Sequence, residues 1–179
     1  MSSIVLYLAV SIDGFIADKN GKVDWLKGES EDVQDDTSYE DFYQTIDTIL
    51  MGYHTYNQIV TELSPNKWVY SEKMTYVLTH KKQQSPLECI QFIQEPLESL
   101  LQRLKQNSSQ DIWICGGAEI AQQCLEKNFI DKLHLTVIPT LLGQGIRLFG
   151  ALDKPQIFSL VSVSSKNGII DCIYQRRLT

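Results

Sequence analysis

The apolar positions of this chain fall into short blocks whose period switches between that of a strand and that of a helix. Ile4 to Val10 is an almost unbroken apolar run, as a strand covered on both faces requires. Tyr39, Phe42, Tyr43 and Ile46 recur at helical spacing and predict a short helix over 39–46. Thr48 to Met51 predicts a strand, and Gly52 leads into a second helix from about His54 to Thr61. Met74 to Thr79 and Glu88 to Ile93 read as two more strands. Pro96 opens a helix, because its missing N–H is no loss in a first turn, and Leu97, Leu100, Leu101 and Leu104 form the buried stripe. A strand at Asp111 to Cys115 is turned by Gly116-Gly117 into a helix from Ala118 to about Lys127, and Lys132 to Pro139 is another strand. Residues 157–165 and 169–177 pair as a hairpin across Asn167-Gly168, two residues that tolerate positive φ.

Strands alternating with helices predict an α/β layered sheet. The closing hairpin makes that sheet mixed, parallel through its βαβ units and antiparallel at the C-terminal end. The length of 179 residues suits one domain, 1–179, and an apolar fraction of 43% is enough to build its core. A net charge of −6 repels phosphate backbones and anionic membranes, so nucleic acid and membrane are excluded as general partners. No segment approaches the roughly 18 apolar residues of a membrane helix, and Met1 to Val10 lacks a signal-type pattern, so a cytoplasmic protein is expected. Cys89, Cys115, Cys124 and Cys172 form no paired spacing and read as structural thiols. His54, His80 and His134 are far apart, and no metal is expected.

Candidate chemistry gathers where strands end. In Ile112-Trp113-Ile114-Cys115-Gly116-Gly117-Ala118-Glu119-Ile120, a glycine pair lets a ligand approach the backbone just where helix N–H groups favour an anion. Read alone, it is equally a packing feature, and it is not the G-x-G-x-x-G fingerprint. Ile49 to Tyr56 repeats the plan, with Gly52, Tyr53, His54 and Thr55 at the turn, or else is an ordinary strand-to-helix connection. Val77-Leu78-Thr79-His80-Lys81-Lys82 ends a strand in a hydroxyl and a basic cluster, suited to a phosphate or simply to solvent. Ser11 to Ala17 follows the first strand, and Gly14 and Ala17 are small enough for a flat ring to approach. Open α/β sheets bind ligands at the carboxyl ends of their strands. The conjunction of these turns is therefore more specific than any one of them.

In this order the segments resemble the dihydrofolate reductase superfamily, in particular its bacterial branch related to the reductase domain of riboflavin biosynthesis. The resemblance is carried by Leu6 to Ala17, Asp24-Trp25-Leu26, Asp47 to Tyr56, Tyr76 to Thr79, Ile112 to Ile120 and Asp131 to Phe149. Within the last, Pro139-Thr140-Leu141-Leu142-Gly143-Gln144-Gly145 looks like a P-x-L-L-G-x-G signature. It implies a three-layer α/β/α fold and hydride transfer from NADPH to a C=N or C=O group of a small heterocycle or sugar derivative, as in the 5-amino-6-(5-phosphoribosylamino)uracil reductases. Ala9, Ile16 and Ala17 match positions around the nicotinamide, while Gly52, His54 and Thr55 match a phosphate-binding helix start. Leu78, Thr79, His80 and Lys81 match the strand end that reads the adenosine 2′-phosphate. Cys115, Gly116, Gly117, Ala118, Glu119 and Ile120 match the second phosphate-binding turn, with a cis peptide expected between the glycines. The resemblance also implies a homodimer.

Two departures stand out. Tyr53 and Glu119 occupy positions where such reductases commonly carry arginine, which removes two cationic contacts. Asp36 lies nearest the proton-donor position, with Asp35, Glu40 and Asp41 as competitors, and Thr136 matches a substrate-binding position. Asp13 reads as a turn former. Between Asn57 and Val69 the only cation is Lys67, so no counterpart of the folate-gripping arginine is evident and dihydrofolate is not the expected substrate. A nucleotide-binding module without catalysis is the alternative.

Overall fold

The computed structural model describes residues 2–31, 38–85 and 87–177. Its main sheet has eight strands: β1 (Ile4–Ser11), β3 (Ile46–Gly52), β4 (Met74–Leu78), β5 (Ile90–Ile93), β6 (Asp111–Gly116), β7 (Lys132–Ile138), β9 (Phe158–Lys166) and β10 (Ile169–Arg176). They lie in the order β5-β4-β3-β6-β1-β7-β10-β9. The six from β5 to β7 are parallel, and β10 and β9 are added antiparallel, so the sheet is mixed as expected. Among the described residues four α-helices accompany it, α1 (Ser38–Gln44), α2 (Tyr53–Gln58), α3 (Leu97–Asn107) and α4 (Ala118–Glu126).

Period-two alternation in the parallel strands sends side chains into two separate cores. On one face Ile4, Leu6, Leu50, Ile112 and Ile114 pack under α3 and α4, with Leu97, Leu100, Leu101 and Leu104 forming the predicted stripe. On the other, Val5, Ile49, Met51, Trp113 and Cys115 pack under Phe42 of α1 and Ile59 beyond α2. This is the three-layer α/β/α arrangement. Leu100 and Leu101 have no exposed surface. Truncating either to alanine costs about 2–5 kcal/mol, the transfer loss plus the cavity left behind.

Three local readings are corrected. Ile46 is not the last apolar residue of a helix but the first of β3, in register with Asp111, because the Thr45 N–H bonds the Phe42 carbonyl and closes α1 early. The expected 54–61 helix is α2 followed by a π-helical turn at Ile59–Leu63, where the Ser64 N–H reaches the Ile59 carbonyl at 2.8 Å. The Thr61 hydroxyl bonds back to the Asn57 carbonyl there, competing with the regular ladder. Finally, β2 (Phe15–Ala17) and β8 (Ile146–Arg147) form a small second sheet, too short to register in a periodicity.

That small sheet explains the Pro139 to Gly145 motif. Asp13 accepts hydrogen bonds from the Ser11 hydroxyl and from the Leu142 and Gly143 N–H groups, tying the segment after β7 to the loop after β1. The Ser11 hydroxyl is the largest influence on its carboxyl, and with the two N–H groups it brings the pKa down to about 2. Asp13 is therefore a turn former, as read from the sequence. Among the described residues no helix is long and apolar enough to cross a membrane, and no cluster of ligating side chains could hold a metal.

Candidate active site

The C-terminal ends of β1, β3, β4, β6 and β7 open into one cleft of about 1160 Å³. A pocket for a single small ligand usually has about 300–1,000 Å³, so there is room here for a dinucleotide and a second molecule. Ala9, Ile16, Ala17, the Gly52 to Thr55 turn, Leu78 to Lys81, Cys115 to Ile120 and Thr136 all line it. Turns that are far apart along the chain thus form one surface. Asp36, the expected proton donor, lies outside the described residues, as does Asp35.

At one end of the cleft the backbone is prominent. The Gly116–Gly117 peptide is cis, as expected, and Gly116 has φ +132°, a conformation that disfavours any side chain. α4 starts at Ala118 with Gly117 as its cap, and no side chain caps its first N–H groups. A Cβ on Gly117 would lie 3.3 Å from Thr55 Oγ1, so the β6 and β3 turns interlock at glycine and leave a cradle a side chain would fill. Beyond β4 the Lys81 N–H donates to Thr79 Oγ1 at 3.1 Å and Gln94 holds the His80 carbonyl, which leaves the His80 and Lys81 side chains exposed. Tyr53 lies in an aromatic group with Tyr56 and Phe92, and Glu119 adds an exposed carboxylate to the first turn of α4.

The other end is aromatic. Tyr7, Tyr39 and Tyr70 surround Trp113, with ring centroids 6.0, 6.1 and 5.3 Å from the indole. The indole N–H donates to the Tyr7 carbonyl at 3.0 Å, which fixes the ring as part of the floor. The Cys115 sulfur lies 3.9 Å from the Tyr70 hydroxyl. Burial pushes the Cys115 thiol up to about 12 and the Tyr70 phenol well above its ordinary value, so both remain protonated at neutral pH. Cys115 is accordingly a structural thiol rather than a nucleophile.

Thr136 closes this end with a hydrogen-bonded chain. Its hydroxyl donates to Asp171 Oδ1 at 2.8 Å, and His134 Nε2 meets Asp171 Oδ2 at 2.8 Å. Burial pushes the Asp171 carboxyl up, but the bonds from His134 and Thr136, with the charge of the imidazole, outweigh it and hold the group below the usual aspartate range. Tyr7 packs on the imidazole, with centroids 4.2 Å apart. Sequence reading missed Tyr7, Tyr39, Tyr70, Trp113, His134 and Asp171 as site residues. The available signals were weak: Tyr7 lies two residues before Ala9 on one strand face, and Asp171 is a charge inside an otherwise apolar strand.

Comparisons with known proteins agree with this architecture. The family described as "RibD C-terminal domain" matches residues 2–170. The uncharacterized protein YwjB of Bacillus subtilis is 41% identical over 152 residues, 84% of each chain. YyaP, also uncharacterized and from the same organism, is 31% identical over 182 residues, covering 96% of this chain and 93% of the relative. A crystal structure of a putative riboflavin biosynthesis protein from Shewanella sp. PV-4 superposes with a TM-score of 0.86 at 27% identity, over 98% of this chain and 99% of that one. At 14% identity, the deaminase/5-amino-6-(5-phosphoribosylamino)uracil reductase of Thermotoga maritima shares the fold, with a TM-score of 0.68 over 98% of this chain and 57% of its own. The turns, the layers and these matches lead to one assignment: the chain belongs to the RibD C-terminal domain family, with the dihydrofolate reductase-like fold.

Proposed function

We propose that this chain is an NADPH-dependent reductase that delivers hydride to a C=N or C=O group of a small substrate. The observation that carries the reading is one cleft lined both by an uncapped glycine turn, Gly116-Gly117, and by the aromatic group around Trp113. Gly116, Gly117 and the first turn of α4 would hold the diphosphate through backbone N–H groups, since a helix N-terminus favours an anion. Thr55, beside that turn, would add a hydroxyl, and His80 and Lys81 would take the 2′-phosphate. Ala9, Ile16 and Ala17, apolar residues of the cleft lining, would pack against the nicotinamide. When bound, that ring supplies the hydride. The chain's own contribution is to orient the acceptor beside these residues and keep water away from it. The small side chains of Ala9 and Ala17 permit close approach, and Thr136 fixes the acceptor's rotation from β7. Asp36 is the proposed proton source.

Tyr53 and Glu119 in place of arginine favour the second reading, a nucleotide-binding module without turnover. One titration separates the two. Quenching of Trp113 emission by NADPH, followed by loss of NADPH absorbance with a panel of cyclic imines and carbonyls, supports the reductase. Saturable binding with no turnover across the panel supports the module. Absence of binding by either NADPH or NADH removes both.

A further inference from the structure

We propose that Gln94 is a positioning residue for the 2′-phosphate of the cofactor: its side-chain amide props the turn after β4 so that Lys81 is held ready for that phosphate, and the preference for NADPH over NADH depends on it. The proposal rests on the reductase reading for the identity of the dinucleotide. Its physical basis is a property of the free protein's turn, which can be measured without any ligand.

Lys81 is carried by an unusual connection. β4 and β5 are neighbouring parallel strands, paired from Thr75 and Ile90 to Leu78 and Ile93. Parallel neighbours are usually joined through a helix, whose own hydrogen bonds keep the crossover in shape. Here residues 79–89 make the crossover, and among the described ones none lies in a helix or strand. His80, Lys81 and Lys82 are exposed on it.

A segment without a ladder of its own keeps its shape through contacts to fixed neighbours. The Thr79 N–H donates to the Ile93 carbonyl at 3.0 Å and extends the strand pairing by one residue. The Lys81 N–H donates to Thr79 Oγ1 at 3.1 Å, a bond within the turn itself. Gln94 Nε2 donates to the His80 carbonyl at 3.0 Å. Of the three, it is this last that ties the backbone beyond Thr79 to another element. Gln94 is well placed to act as a fixed post. Ile93 before it ends β5, and Leu97 after it is buried at the start of α3, with Pro96 between them at φ −57°. A proline ring allows that backbone little else. The carbonyl one residue before Lys81 is thus anchored to a rigid support.

The charges at this side of the cleft make the placement of Lys81 matter. Glu95 also lines the cleft, and its carboxylate is engaged by Arg103 of α3. Lys81 makes no ion pair among the described residues, so its ammonium is available to an incoming phosphate. An ammonium acts as a point charge whose attraction falls with distance. Without the tether the turn would have to be ordered as the phosphate arrives, and that conformational entropy is subtracted from the affinity. NADH has no 2′-phosphate and draws nothing from where Lys81 sits. A residue that merely preserved the fold would affect both dinucleotides alike.

The test titrates NADPH and NADH by calorimetry into the full chain as wild type, Gln94→Met, Lys81→Ala and the double variant. Gln94→Met keeps the side chain's length and removes the donor, at an exposed position where the fold tolerates it. It is expected to raise the Kd for NADPH about three- to fivefold, the worth of one exposed hydrogen bond, and to leave the Kd for NADH within about 1.5-fold. In the Lys81→Ala background the same substitution should move the NADPH Kd by less than about 1.5-fold, because the tether acts through Lys81. In the free protein, hydrogen exchange at the Lys81 amide should be at least about threefold faster in Gln94→Met. Equal weakening of both dinucleotides, an unchanged NADPH Kd, unchanged exchange at Lys81, or additivity with Lys81→Ala overturns the proposal, as does a wild type that binds neither dinucleotide. Selective loss of NADPH affinity in a chain that oxidises it with no member of the substrate panel would sink the reductase reading and leave the role of Gln94 standing.

Discussion

Asp171→Ala tests whether the chain from His134 to Thr136 is a structural unit. The carboxylate accepts two bonds of 2.8 Å, and the side chains of His134 and Asp171 are only 6% and 11% exposed. A hydrogen bond to a charged acceptor is worth about 1.5–3 kcal/mol. Thr136 lines the cleft, so water can replace its lost partner and most of that term is recovered. His134 packs against Tyr7 and Phe42 with its side chain only 6% exposed, so less of its bond is recovered. The two together predict a loss of about 2–4 kcal/mol. With a urea slope of about 1–3 kcal/mol per molar, the unfolding midpoint should fall by about 1 M or more. Pairing the substitution with His134→Ala closes a double-mutant cycle, in which the double variant should lose less than the sum of the singles. The folded Asp171 carboxyl sits below its unfolded value of about 3.9, so its contribution is present above that pH and disappears as pH falls through the lower, folded value. The gap between wild type and Asp171→Ala should accordingly be level near neutrality and close in acid. A loss under about 1 kcal/mol, or an additive cycle, would refute the reasoning.

Other outcomes follow from single contacts. Lys81→Ala should raise the Kd for NADPH about tenfold, near 1.4 kcal/mol, and leave NADH binding unchanged; equal weakening of both by calorimetry would move 2′-phosphate recognition elsewhere. Gly145 has φ +156°, and a Cβ there would run into the Ala17 carbonyl oxygen, so Gly145→Ala should destabilise by about 2–4 kcal/mol and lower Tm by about 5–10 °C. Because the Asp13 carboxyl is held at about 2, its stabilisation is present above roughly pH 4 and is lost between there and pH 2; Asp13→Asn should abolish that part of the acid dependence of Tm. Val161 and Val163 on the edge strand β9 are 63% and 59% exposed, and we expect them to be covered in a homodimer. Light scattering should give a dimer mass for the wild type and a monomer mass for Val163→Lys.

The two ends of the cleft differ in how far they can be read from the chain. Gly116-Gly117, Gly52 and the Thr79-His80-Lys81 cluster stand out because a ligand gripped by backbone needs glycine and a hydroxyl at the strand tip, within a few consecutive residues. The parallel sheet then brings those tips side by side whatever the loops between them do. The aromatic end has no such local mark. Tyr39 and Phe42 share one helical spacing, yet Phe42 is core and Tyr39 lines the cleft. Trp113 and Tyr7 look like ordinary strand residues until β6 and β1 are adjacent. Asp171 finds Thr136 only through the β10–β7 register, which depends on the whole strand order. Local sequence therefore reports the glycine turns proposed to hold the cofactor through backbone, and tertiary register builds the aromatic part of the cleft. On the reductase reading, we expect members of this family that share every strand-end turn to differ in substrate through positions 7, 39, 70, 113, 136 and 171. Those positions, rather than the glycine turns, are where exchange between relatives should transfer specificity.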